Sequence, residues 1–224
     1  MKKSTTIATI ALLGTIATLA ATNLKLKSEY NNGNVRDPYT KTKLAHFSYI
    51  KTVFDSTSRN GEEFRITVSK GAEPTIGTYY RERAKLLFNV SNDTLYVRND
   101  PFDKDHYSLY DAAVITMPEL KGIFVTKGSY QIKQDNAESL TVVAKEGAAV
   151  NLQLKKLNQL TITGFDKTAF TLSAKDTINQ ANIQLNERSS LTANDLIIKQ
   201  KTLTLGDSAS VKLIGRSMKD FGLQ

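Results

Sequence analysis

Through the C-terminal half of the chain apolar residues fall on every second position, and the alternation itself recurs at a fixed distance. Val150, Phe170, Leu191 and Val211 form one column, with steps of 20, 21 and 20. Leu152, Leu172, Ala193 and Leu213 step in the same way, as do Val142, Ile162, Ile183 and Leu203, and Ala144, Gly164, Leu185 and Leu205. Ala137, Leu157, Ile178 and Ile198 form a further column, and one residue inserted between Leu172 and Ile178 accounts for every step of 21. Period-two alternation marks strands that show one face to a core. Like residues one repeat apart mean that these strands stack in register, each coil covering its neighbour. The pattern predicts an all-β fold: a single-stranded right-handed β-solenoid with about 20 residues per rung. Five rungs are expected, at 117–136, 137–156, 157–177, 178–197 and 198–217. Met117, Tyr130 and Ile132 extend columns one step backwards, while Ile123 and Val125 fall off column and make the first rung the least regular.

Residues 44–116 are rich in strands but show no such period. "FRITVSKG" at 64–71 alternates cleanly, and "KLLFNVSNDTLYVRND" at 85–100 reads as two strands joined at Ser91-Asn92-Asp93. This part is either a set of irregular rungs or a cap that protects the open end of the stack from edge pairing.

The N-terminus changes pattern again. Lys2 and Lys3 precede a run from Ser4 to Leu24 without a charge, the layout of a signal peptide or membrane anchor over residues 1–26. At ~1.5 Å per residue such a helix just spans a ~30 Å hydrocarbon core. Six threonines weaken its hydrophobicity and favour cleavage, whereas the best cleavage site, ending at Thr18-Leu19-Ala20, is only a loose version of the motif, so both readings stand. Residues 27–43 lack apolar periodicity and read as a linker. Residues 218–224 form a short tail.

Composition adds three constraints. The 224 residues contain no cysteine, which removes disulfides, thiolate metal sites and a lipidated cysteine together. The net charge of +8 comes from scattered lysines and arginines, a pattern that serves solubility more than a block of like charge would. Export places the chain outside the cytoplasm, away from nucleic acid.

"GEEFRITVSKGAEPTI", then "NDTLYVRND", then "VITMPELKGIFVTKGSYQI" followed by 20-residue rungs, resembles the bacterial head GIN domain family. That group of "auto-transporter adhesins" occurs largely in Bacteroidetes, and the resemblance covers about residues 44–217. The family's usual G-x-G after the "MPEL" strand is reduced here to Lys127-Gly128-Ser129. The resemblance implies a β-solenoid of the cell envelope, tethered in the manner of membrane-anchored members, and supplies no catalytic residues to carry over.

Several side-chain groups carry candidate chemistry. Glu146, Asp166, Glu187 and Asp207 form a column at steps of 20, 21 and 20, a row of hard oxygens suited to a cation such as calcium. Its bland counterpart is a row of solvated turn residues, neutralised by Lys145, Lys167 and Arg188. Tyr79, Tyr80, Arg81 and Arg83 place aromatic rings beside cations, a combination that stacks on sugars or holds anionic glycans. A loop with Asp100, Asp103, Asp105, His106 and Asp111 lacks the ligand spacing of a metal site. His46 stands alone. No nucleophile elbow, zincin, phosphate-loop or dinucleotide fingerprint is present.

The expectation is a non-enzymatic envelope solenoid, an adhesin or interaction scaffold whose partner is an envelope protein or a glycan. Two rivals share much of the pattern: a lyase-like carbohydrate-active enzyme on a β-helix, and a membrane-anchored periplasmic regulator. Short, even rungs leave no long loops for a substrate groove, which counts against the enzyme.

Overall fold

The computed structural model describes residues 2–31, 39–54, 64–79, 86–99 and 112–220. The chain divides into two compact units, residues 1–38 and 39–224.

The first unit is one helix, α1 (Lys2–Asn31). Its side chains from Leu12 to Lys25 are exposed. Thr18 Oγ1 donates to the carbonyls of Gly14 and Thr15 at 2.8 and 2.9 Å, and Thr22 Oγ1 donates to that of Thr18 at 2.8 Å. This is the back-bonding by which a hydroxyl satisfies itself inside a helix. Among the described residues no helix is long and apolar enough to cross a membrane.

The second unit begins with β1 (Tyr39–Lys43), β2 (Tyr49–Val53), β3 (Arg65–Lys70), β4 (Thr75–Tyr79), β5 (Leu86–Ser91), β6 (Thr94–Asn99), β7 (Ala113–Met117) and β8 (Gly122–Thr126). It continues through β9 (Ser129–Lys145), β10 (Ala149–Gly164), β11 (Ala169–Ala174), β12 (Ile178–Leu185), β13 (Ser190–Asn194), β14 (Ile198–Leu205) and β15 (Ser210–Ile214) to a short helix, α2 (Arg216–Asp220). The segment expected to be a linker therefore behaves differently: α1 runs into it, and β1 lies within it, paired antiparallel with β4.

From β9 onward each coil is parallel to the one before it, in the register that the sequence columns predict. Val150 pairs with Phe170, Phe170 with Leu191 and Leu191 with Val211; on the second face Ile162 pairs with Ile183 and Ile183 with Leu203. β9 and β10 run through both faces, and the adjacent exposed residues Asp135-Asn136 and Lys155-Lys156 break the alternation where each strand rounds the corner. Inward columns of Leu, Ile, Val and Ala fill the space between the faces.

The N-terminal half belongs to the same stack, but its coils are not in chain order. On the first face the strands run β1-β4-β7-β3-β9-β10-β11-β13-β15. On the second, β5, β6, β2 and β8 precede β9 in successive pairings. β3 is inserted between β7 and β9, so Met117 pairs with Lys70 and does not lie beneath Ala137. This corrects the first rung expected at 117–136. Ile123 and Val125 are in column after all, paired with Val142 and Ala144 at a step of nineteen residues. Residues 44–116 combine rungs and cap: β2, β3, β6 and β7 pair in parallel as rungs, while β4 and β5, with β1 ahead of the segment, pair antiparallel and close the end. The hairpin turn falls at Asn92-Asp93, both with positive φ, as the twist of a two-residue turn demands.

Tyr130 packs in the core beneath the seam between the halves. Its hydroxyl is 2.6 Å from Thr52 Oγ1 and donates to the Thr126 carbonyl at 3.3 Å. Burial pushes its phenol well above the ordinary range. At the other end the core columns finish on Leu203, Leu205, Val211 and Leu213. The column Leu140, Leu160, Ala181 ends in Lys201, a charged residue at an inward position. α2 folds against this end through Ser217 Oγ, which accepts the Leu196 N–H at 2.7 Å.

Candidate functional site

The carboxylate column sits on the tight turns that link the second face to the first. Glu146, Asp166 and Glu187 all have positive φ, as do Gly147, Lys167 and Arg188 that follow them. The turns are laddered: the amides of Gly147, Lys167 and Arg188 donate to the carbonyls of Asp166, Glu187 and Asp207 one coil on. The side chains project into solvent and divide their interactions. Lys127 Nζ is 3.4 Å from Glu146 Oε2. Glu187 hydrogen-bonds Asp166, and that bond, reinforced by the negative charge, holds the Glu187 carboxyl above its usual range. Lys145 Nζ lies over the Phe165 ring, 5.1 Å from its centre. Among the described residues no three or more His, Asp or Glu side chains gather as a metal-ligand set.

Tyr79 ends β4, with its ring edge-on to Tyr39 at 6.1 Å. Tyr80, Arg81 and Arg83 lie outside the described residues, as do Asp100, Asp103, Asp105, His106 and Asp111. His46 is exposed, with Nδ1 3.5 Å from Asp93 Oδ1.

A second constellation forms at the corner between the faces. There Asn158, Gln159, Asn179, Gln180, Lys199 and Gln200 line a shallow groove of 370 Å³. Asn158 Nδ2 donates to Glu138 Oε1 at 2.6 Å, and Asn179 Nδ2 donates to Asn158 Oδ1 at 2.8 Å. In the neighbouring row Gln159 Nε2 donates to Gln180 Oε1 at 3.4 Å. The signal was available in the sequence, since "NQ" at 158–159, "NQ" at 179–180 and "KQ" at 199–200 recur at the coil spacing. These columns carry neither apolar alternation nor a row of like charge, so they do not stand out by the pattern that marks the strands and the carboxylates.

No curated protein matches the chain in sequence. The solved structures similar to it include two from bacteria. One is a "putative adhesin" from Bacteroides fragilis, 16% identical, with a TM-score of 0.39, covering 78% of this chain and 95% of that one. The other is a "putative cell adhesion protein" from Clostridium sporogenes, 12% identical, with a TM-score of 0.29, covering 79% and 99%. A family model described as "Putative auto-transporter adhesin, head GIN domain" matches residues 57–216, from the irregular rungs through the last coil. The chain belongs to the head GIN domain family.

Proposed function

We propose that the chain is a non-enzymatic interaction module of the bacterial cell envelope, an adhesin that presents its outer face to an extended partner. The observation that carries this reading is the in-register repetition of outward polar residues. On the first face Gln131, Asn151, Thr171, Thr192 and Lys212 succeed one another coil by coil. Such a ladder offers many weak contacts at one spacing, and their effects multiply along a repetitive partner. The solvated turns that hold the carboxylates lack the enclosed, water-excluding setting that perturbs an acid for catalysis. α1, led by Lys2 and Lys3, serves as the targeting or tethering element.

Protease shaving of intact cells tests the placement, with a periplasmic protein as leakage control and mass spectrometry of released peptides. Peptides from 117–217 released with the control intact are the expected result. Release only after the outer membrane is permeabilised would overturn the adhesin reading in favour of a periplasmic scaffold.

A further inference from the structure

We propose that the amide-lined corner groove binds a linear glycan laid along the stack, with one sugar facing each coil. The inference rests on the adhesin reading above and names its ligand class. The lining fits hydroxyl groups better than any other chemistry. It consists of amides and a lysine, so a lipid or an apolar peptide meets no apolar side chain to anchor it. Lys199 is the lining's one cation, too little positive charge to hold a nucleic-acid backbone.

The amides are arranged to recognise groups that both donate and accept. Each carries two N–H donors and an oxygen with two lone pairs. The ladder uses one donor of Asn158 toward Glu138 and one lone pair toward Asn179, and comparable single bonds engage Asn179, Gln159 and Gln180. A second donor and further acceptor capacity on each amide therefore remain for a ligand in the groove, and the hydroxyls of a sugar match them. Glu138, which can only accept, orients the Asn158 amide, and Asn158 in turn orients Asn179. These side chains are held in place before a ligand arrives, which lowers the entropy cost of binding.

Spacing supplies the second argument. Coils follow one another at about 4.8 Å, close to the advance of one hexose along an extended chain. A peptide strand lying along the same line advances at a different interval and drops out of step with the amides. Lys199, on the last coil of the groove, is placed to meet a sugar carboxylate.

The test applies the full-length chain to an array of linear oligosaccharides, neutral and uronate-bearing, and titrates the best binder by calorimetry. The double variant Asn179→Ala with Gln180→Ala is expected to weaken binding about tenfold or more, as the loss of one or two hydrogen bonds implies. Lys199→Gln is expected to weaken only uronate-bearing ligands. Glu119→Ala, exposed in the loop between β7 and β8, is the control, and melting curves confirm that each variant folds. Glycan binding unchanged by the groove variants would overturn the site while leaving the adhesin reading intact. No binding on the array, with the chain found on the cell surface, would overturn the glycan class alone. Protection of the chain from surface protease would instead strike the adhesin reading itself.

Discussion

From β10 to β15 every strand lies on the strand one coil earlier in the chain, whereas between Tyr39 and Thr126 neighbouring strands, the β5–β6 hairpin apart, come from distant segments. β9 rests on β3 across a gap of more than fifty residues, although β7 and β8 intervene in sequence. The two regions bury the same kinds of inward residue and share one continuous ladder. They differ in how much chain must be closed to form each contact. The sequential coils nucleate on contacts about twenty residues apart, while the permuted ones order longer loops before any pairing stabilises them. Such a region needs the finished face of β9 as a template, so it is an extension of the solenoid and not an independent appendage.

The strongest way to break that comparison is to remove core volume on each side of the seam. Ile66 in β3 and Ile132 in β9 are both fully buried, and Ile66 pairs with Tyr130. Ile66→Ala and Ile132→Ala should each cost about 2–5 kcal/mol in chemical denaturation. Both should also raise amide exchange in β9. An Ile66→Ala variant that melts in its own early transition, with β9 protection unchanged, would separate the halves.

Gly164 tests the regular coils alone. It takes a core position between Ala144 and Leu185 because a Cβ there would lie 2.7 Å from the Phe170 ring and closer still to Thr168 Oγ1. Gly164→Ala should destabilise by about 1–3 kcal/mol through overpacking, read as a lower denaturation midpoint. An unchanged midpoint would mean that Phe170 has room to move.

Lys201 sharpens the contrast between the two ends. Antiparallel strands close the N-terminal end, while the C-terminal end leaves Leu203 at 36% and Leu205 at 47% exposed beside that lysine. Lys201→Leu extends an apolar column to the open edge and should shift sedimentation toward larger species. A strictly monomeric variant would show that α2 protects this end unaided.

The smallest effect concerns pH. The folded Glu187 carboxyl holds its proton more tightly than the ordinary value of 4.5, because of the hydrogen bond to Asp166 and that residue's charge. The folded state therefore binds more protons than the unfolded one between 4.5 and the raised value. The associated stability is present below that window and is lost as pH rises through it. Glu187→Gln should flatten this slope in melting temperature against pH, and an unaltered slope would place the titration elsewhere.

The columns of the last coils were legible because spatial neighbours are also neighbours by a constant step, so Val150, Phe170, Leu191 and Val211 announce their own contacts. The constant step misplaces Met117, since a step of twenty leads to Ala137 whereas the fold inserts β3 and gives it Lys70. Alternation in "FRITVSKG" identified a strand but held no information on its partner, which is set by loop closure and not by local pattern. The carboxylate column lies on laddered turns, and three of its four members, Glu146, Asp166 and Glu187, take the positive φ those turns require. The amide corner was written in the sequence as plainly as the core, but its meaning depends on a fold at the strand corners that periodicity alone does not locate.

The continuity of the stack across the seam can be read by disulfide trapping, since the natural chain has no cysteine. Thr67 and Gln131 are register partners in adjacent parallel strands, about 4.8 Å apart and within reach of a disulfide. Paired as Thr67→Cys with Gln131→Cys, they should crosslink rapidly under mild oxidation. Val114→Cys with Gln131→Cys should not, because β3 stands between those strands. Crosslinking of the second pair in preference to the first would contradict the permuted order and return the chain to a stack built in sequence order.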